Sequence, residues 1–194
     1  MTNLTPTIDV RRRDQQFHTR AGWLDSRHCF SFGRHYDPFN THHGLLLVSN
    51  DDVKPFTGFD THPHRDMEIV TWVLDGELEH KDTLGNKGLI YPGLAQRMSA
   101  GRGIYHSEKN NTSPKEVHFV QMWVLSDTEG IDPGYEQLDI NAELARGGLV
   151  PLASGRGHAA AIDIRQRGAQ HWVGRLKARE AVRVPDAPFV HLYV

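Results

Sequence analysis

The chain has 194 residues and a mass of 22.0 kDa, enough to bury a substantial core in one large domain or two small ones. Its net charge of −2 and pI near 6.7 give no electrostatic basis for a nucleic-acid or anionic-membrane partner. The single cysteine, Cys29, excludes an internal disulfide, and no segment has the apolar length of a signal peptide or a membrane span, so we expect a soluble cytoplasmic protein.

Short apolar runs separated by turn residues dominate the region from residue 44 to residue 125. The runs with the strongest strand composition are residues 45–48, 67–74 and 117–125. Asp75-Gly76 follows the second run and predicts a β-hairpin with residues 77–80. Further turns are predicted at residues 84–88 and 91–93. Many short strands at this spacing predict an all-β sandwich or barrel of the jelly-roll kind.

The last third of the chain has a different pattern. Residues 126–133 are polar and predict a linker, and residues 140–147 predict one short helix or turn ended by Gly147-Gly148. Later strands are predicted at residues 157–164, 171–176 and 189–194. Because no partner strand follows the last run, it predicts an unpaired edge that could form a homodimer, unless strands from residues 1–40 fill the gap.

Two motifs, His62-Pro63-His64 and His106-Ser107-Glu108, each place two potential metal ligands at positions i and i+2. Such side chains point to the same face of a strand, so the two motifs can offer three imidazoles and a carboxylate to one point. This set suits a transition metal better than Ca²⁺ or Mg²⁺, which prefer oxygen ligands. The alternative for the first motif is a polar turn, because proline is rare in central strands. His42-His43 are predicted to be loop residues.

Two longer stretches resemble the signatures of the pirin family, a branch of the cupins. They are residues 58–76, which include Thr-His-Pro-His-Arg-Asp-Met-Glu, and residues 96–108, Gln-Arg-Met-Ser-Ala-Gly-Arg-Gly-Ile-Tyr-His-Ser-Glu. The resemblance implies a cupin (jelly-roll β-barrel) at residues 1–125 that binds the metal, followed by a partial cupin-like β-domain at residues 126–194. The metal ligands that it implies are His62, His64, His106 and Glu108.

The position of the carboxylate ligand leaves an alternative at Glu68. General cupins take this ligand from His-x-His-x-x-x-Glu, which His64 and Glu68 match, whereas pirins use the later pair. Gln96 stands near the place of the third histidine of general cupins, which favours Glu108. Glu68 is then predicted either to hydrogen-bond a ligand imidazole or to form an ion pair unrelated to the site.

Bacterial pirins are similar to enzymes that open the flavonol ring of quercetin with O₂ and release carbon monoxide. The resemblance therefore implies a quercetin 2,3-dioxygenase-like oxidoreductase in which Glu108 is the catalytic carboxylate. It implies one divalent metal as cofactor, Fe(II) first, with Ni, Cu, Mn or Zn as alternatives. A second hypothesis is an iron-binding, redox-sensitive regulatory protein that interacts with a transcription factor or a metabolic enzyme. A third is a binder of small acids or sugars that performs no chemistry.

Overall fold

The computed structural model describes residues 8–37, 45–157 and 159–194, so the predicted loop at His42-His43 lies outside the described residues. A 3₁₀ helix spans Arg13–Gln15 and a short α-helix, α1, spans Asn141–Leu144. The strands, in chain order, are β1 (Phe17–Ala21), β2 (Leu24–Cys29), β3 (Leu45–Val53), β4 (Gly58–His64), β5 (Met67–Asp75), β6 (Leu78–Asp82), β7 (Lys87–Ile90), β8 (Leu94–Ser99), β9 (Ile104–Lys109), β10 (Val117–Leu125), β11 (Gly134–Asp139), β12 (Val150–Ser154), β13 (Ile162–Asp163) and β14 (Gln170–Val173).

Two sheets pack face to face and enclose a hydrophobic core between them. The larger sheet has the order β1-β2-β3-β10-β5-β8-β11, and the smaller has the order β4-β9-β6-β7. Apolar side chains from both sheets meet between them, including Val73 and Phe119 from the larger sheet and Leu78 and Ile90 from the smaller one. All four are at most 1% exposed. The predicted jelly-roll arrangement of short strands is confirmed.

The hairpin predicted around Asp75-Gly76 is wrong. β6 pairs with β7 and β9 in the smaller sheet, whereas β5 pairs with β10 and β8 in the larger one. Both edges of β5 are therefore occupied, and the turn carries the chain across from one sheet to the other. Gly76 has a φ of +79°, and a Cβ there would lie 2.9 Å from the carbonyl oxygen of Glu116. The crossing requires glycine for both reasons.

Part of the segment after residue 125 extends the larger sheet. β11 pairs with β8 along its whole length, and β12 forms a separate three-stranded sheet with β13 and β14. Residues from this segment, among them Leu144 and Leu152, pack against Val70 and Ala95 on the outer face of the larger sheet. The predicted short helix is confirmed as α1. The division of the chain at residue 125 stays a prediction.

The strand predicted at Phe189–Val194 is wrong, and the strand predicted at residues 157–164 shrinks to the two residues of β13. The tail makes side-chain contacts instead of a strand ladder: Tyr193 packs against the buried cluster that contains Cys29 and Val120. Without strand pairing, Leu192 remains 71% exposed. The argument for a homodimer through a C-terminal edge strand loses this basis, and dimerisation stays a prediction.

No helix within the described residues is long and apolar enough to cross a membrane. The predicted cytoplasmic location stays a prediction.

Candidate metal centre

Three of the four predicted ligands converge on the inner face of the smaller sheet. His62, His64 and His106 each offer a ring nitrogen, and these nitrogens lie within 4.8 Å of one another. The strand register causes this convergence, because His62 on β4 is paired directly with His106 on β9. His64 lies two residues beyond His62 and therefore shares its face. The alternative of a polar turn at His62-Pro63-His64 is excluded, since all three residues belong to β4.

The hydrogen bonds around His62 orient its ring for metal binding. Its Nδ1 lies 2.7 Å from the backbone carbonyl oxygen of Asp60. This oxygen can only accept a hydrogen bond, so Nδ1 is the donor. The lone pair then lies on Nε2, which faces Nε2 of His106 at 3.1 Å. Two ring nitrogens turned toward one point, with a third imidazole beside them, are a donor set that fits a divalent transition metal.

Burial keeps two of these imidazoles neutral. Desolvation, reinforced by the neighbouring histidines, lowers the pKa of His64 to about 4 and that of His106 to about 3. For His64, the negative charge of Glu108 acts in the opposite direction but does not restore the pKa to its usual value. Both rings are therefore uncharged at neutral pH and keep one nitrogen without a proton, which is the form that binds metals.

Glu108 lies on the same face of β9 as His106 but is outside the three-histidine group. Its side chain is buried, and Oε1 accepts a hydrogen bond of 2.8 Å from Nε2 of Gln121. The indole N–H of Trp123 donates to Oε1 of Gln121, and this bond fixes which end of the amide faces Glu108. The barrel interior thus holds the Glu108 carboxylate in place. Its assignment as a metal ligand stays a prediction.

Glu68 lies on the opposite face of the larger sheet. Its neighbour Ile69 packs inward with Met98 and Ile104, so Glu68 points outward from the same strand. There it is fully buried, accepts hydrogen bonds from Ser99 (2.8 Å) and Ser126 (3.2 Å), and lies 3.8 Å from Nε of Arg97. These contacts match the predicted ion pair, and none of them is with a ligand imidazole.

We expect Glu68→Gln to leave metal affinity almost unchanged and to lower stability. The substitution weakens hydrogen bonds to a buried charged group, which typically contribute about 1.5–3 kcal/mol each. Chemical unfolding and a metal titration of the same preparation measure the two effects. If Glu68→Gln removed the metal while Glu108→Gln kept it, the ligand assignment would be wrong.

Several residues of the site were not identified from the sequence. Trp123 sits against His64 with ring centroids 5.0 Å apart, and His80 lies beside His106. His80 and Asp82 occupy positions i and i+2 of β6, the same spacing as in the two predicted ligand motifs. This spacing could have identified them from the sequence as residues of the site. Gln121 and Trp123 could have been placed inside only by assigning the inner face of β10.

A second buried polar cluster surrounds Asp51 on β3. The hydroxyl groups of Ser26 and Ser49 both donate to its carboxylate. Burial nevertheless raises the pKa of Asp51 from 3.8 to about 7, because desolvation outweighs these two hydrogen bonds. The folded protein therefore binds a proton here at pH values where the unfolded chain has released it.

This shift predicts a pH-dependent stability that Asp51→Asn should remove. Because the folded-state pKa is the higher one, the free energy of unfolding should fall as the pH rises from about 4 to about 7, by at most about 4 kcal/mol from this group. Relative to the wild type, Asp51→Asn should thus become more stable as the pH is raised through this window. Denaturant unfolding of metal-free protein at pH 5 and pH 8 tests this, with the exposed Asp186→Asn as control. A pH-independent difference between wild type and Asp51→Asn would contradict it.

Comparison with known proteins gives consistent matches. A family model described as Pirin matches residues 10–124. A Mycobacterium tuberculosis protein provisionally named quercetin 2,3-dioxygenase is 56% identical over 193 residues, covering 98% of this chain and 79% of that protein. The quercetin 2,3-dioxygenase of Escherichia coli K12 is 47% identical over 136 residues, covering 70% of this chain and 59% of that protein.

Solved structures agree with these matches. YhhW from Escherichia coli superposes with a TM-score of 0.75 and 40% identity, covering 81% of this chain and 66% of that one. The complex of the bacterial pirin YhhW with nickel(II) gives a TM-score of 0.73 and 39% identity, covering 81% of this chain and 67% of that one. The chain thus spans about three fifths to four fifths of the length of these relatives. The predicted all-β cupin fold is confirmed.

Proposed function

This chain belongs to the pirin family, and from that premise we propose that it is a metal-dependent dioxygenase that opens a flavonol such as quercetin with O₂. The observation that carries the proposal is the inward convergence of three imidazoles, with Nε2 of His62 and Nε2 of His106 only 3.1 Å apart. The related proteins carry the name quercetin 2,3-dioxygenase, and this supports the choice of reaction.

We propose that His62, His64, His106 and Glu108 hold one divalent metal. Nickel is bound by the related Escherichia coli pirin, and iron, copper, manganese and zinc also suit a set of three imidazoles and a carboxylate. Among these we propose Fe(II), the metal that the family resemblance implies first. Metal analysis of protein purified without added metal tests this choice.

When bound, the metal supplies Lewis acidity and redox chemistry toward the flavonol and O₂. The chain's own contribution is to orient the substrate and to move its proton. We propose that Glu108 takes the proton of the flavonol 3-hydroxyl, since a carboxylate on the inner face can act as general base. Gln121 keeps this carboxylate in position through its 2.8 Å hydrogen bond. Trp123, half-buried beside His64, offers an aromatic surface to the planar substrate.

An aerobic assay tests the proposed activity. Metal-stripped protein is reloaded separately with iron, nickel, copper or manganese and mixed with quercetin, whose near-visible absorbance should disappear as carbon monoxide is released. The same preparations of His62→Ala provide the control for any oxidation of quercetin by O₂ that free metal ions promote outside the proposed site. Absence of turnover above this control with every metal would overturn the proposal.

A further inference from the structure

A line of hydrogen bonds leads from His106 into the barrel wall. Nδ1 of His106 lies 3.5 Å from Nδ1 of His80, and Nε2 of His80 lies 3.2 Å from Oδ2 of Asp82. The side chains of His80 and Asp82 are 1% and 0% exposed. Polar groups buried to this extent need specific partners, so the geometry of the line is constrained at each step.

The strand register builds this line. On the smaller sheet His80 is paired with Glu108, and Asp82 is paired with His106. Directly opposite residues share a face, so both side chains of β6 point to the same side as the proposed ligands of β9. Tyr135 stacks on His80 with ring centroids 4.7 Å apart and limits the rotation of the imidazole.

The contacts of Asp82 fix the direction of the protons. Its carboxylate already accepts hydrogen bonds from the backbone N–H groups of Leu84 and Asn86 and from the side-chain amide of Asn86. These three N–H donors favour the ionised form of the carboxylate against the burial that opposes it. An ionised carboxylate only accepts hydrogen bonds, so Nε2 of His80 must donate to it.

The proton on Nε2 of His80 is linked to the position of the proton on His106. If Nε2 of His106 binds the metal, the ring carries its proton on Nδ1, and the partner of that proton is Nδ1 of His80, which fits a His80 that donates through Nε2. We propose that His80 and Asp82 are positioning residues: they hold the proton of His106 on Nδ1 and so keep the lone pair of Nε2 directed at the metal. The inference rests on the metal centre proposed above, and it assigns a role to two residues that do not themselves touch the metal.

Asp82→Asn is the direct test, because it changes the polarity of the line with little change of shape. The amide can keep its oxygen on the backbone N–H groups, but its NH₂ then faces Nε2 of His80. His80 must become an acceptor there and a donor at Nδ1, which forces the proton of His106 onto Nε2. A ligand nitrogen that carries a proton cannot bind a metal, as with the wrong tautomer in other histidine–carboxylate pairs.

Variants of His80 separate positioning from packing. His80→Leu fills the space but removes the acceptor, whereas His80→Asn places a carbonyl oxygen where Nδ1 stood and can still accept from His106. Asp139→Asn is the matched control, since it makes the same chemical change at an exposed aspartate that accepts hydrogen bonds from Tyr91 and Asn141. Nickel(II) affinity is measured by competition with a chelator, and the absorption spectrum of the cobalt(II) form reports the ligand set.

We expect Asp82→Asn and His80→Leu to weaken nickel(II) binding roughly 10- to 100-fold, and His80→Asn and Asp139→Asn to stay close to the wild type. Nitrogen NMR of the diamagnetic zinc(II)-loaded protein gives an independent readout: His80 should carry its proton on Nε2 and not on Nδ1 in the wild type. Protonation of His80 on Nδ1 in this form would overturn the inference. So would unchanged nickel affinity in both Asp82→Asn and His80→Leu, if His62→Ala still abolished binding. If His62→Ala bound nickel normally, the proposed metal centre itself would be wrong.

Discussion

Replacement of His106 by alanine is expected to abolish tight binding of a divalent metal. His106 is the central residue of the proposed ligand group: its Nε2 faces that of His62, and its strand also carries Glu108. Structural zinc sites with four ligands bind with total free energies of roughly 10–16 kcal/mol, and on that scale one ligand contributes about 3 kcal/mol, or about a hundredfold in affinity. Metal content by mass spectrometry and chelator competition measure the loss.

His118→Ala is the control for this experiment. His118 lies on β10, is partly exposed, and hydrogen-bonds Nδ2 of Asn50 at 2.7 Å, so its removal deletes an imidazole from the same barrel without changing the proposed centre. We expect His118→Ala to retain the wild-type metal content and His62→Ala to behave like His106→Ala. Normal metal content in His106→Ala would show that the convergent histidines are not the metal site of this protein.

The sequence predicted the core of the site because the site depends on local spacing. Residues at i and i+2 of a strand share a face whatever the strand pairs with, so His62 and His64 could be placed together before the fold was known. The pairing of His62 with His106 across β4 and β9 is not local, and the family resemblance supplied the expectation of that contact.

Long-range features account for the failures. Asp75-Gly76 has the composition of a hairpin turn, but both edges of β5 are occupied by β10 and β8, so the following strand joins the other sheet. For Glu68 the sequence left two alternatives, and only the strand pairing, which places it on the outer face beside Arg97, favours the ion pair over a contact with an imidazole. The apolar run Phe189–Val194 has strand composition but makes no ladder in the described structure, and composition cannot reveal whether a sheet edge is free.

Glu108→Gln is expected to lower the rate of flavonol turnover by about 10²–10⁴-fold while it retains part of the metal. The glutamine oxygen can still accept the hydrogen bond from Gln121 and can act as a weak neutral ligand, but the amide cannot take up the proton of the substrate hydroxyl. The defect should therefore appear in kcat per bound metal and not only in metal content.

Glu136→Gln makes the same chemical change on the outer face of the barrel, where Glu136 pairs with Arg97, and should leave turnover per metal unchanged. The kinetic comparison must be normalised to bound metal, because the two roles proposed for Glu108 predict different results. A ligand that is not a base would lose metal but keep its turnover per metal, and a base that is not a ligand would do the reverse. Full turnover per metal in Glu108→Gln would therefore remove Glu108 from the proton transfer, and the base would have to be sought among the other polar groups that face the barrel interior.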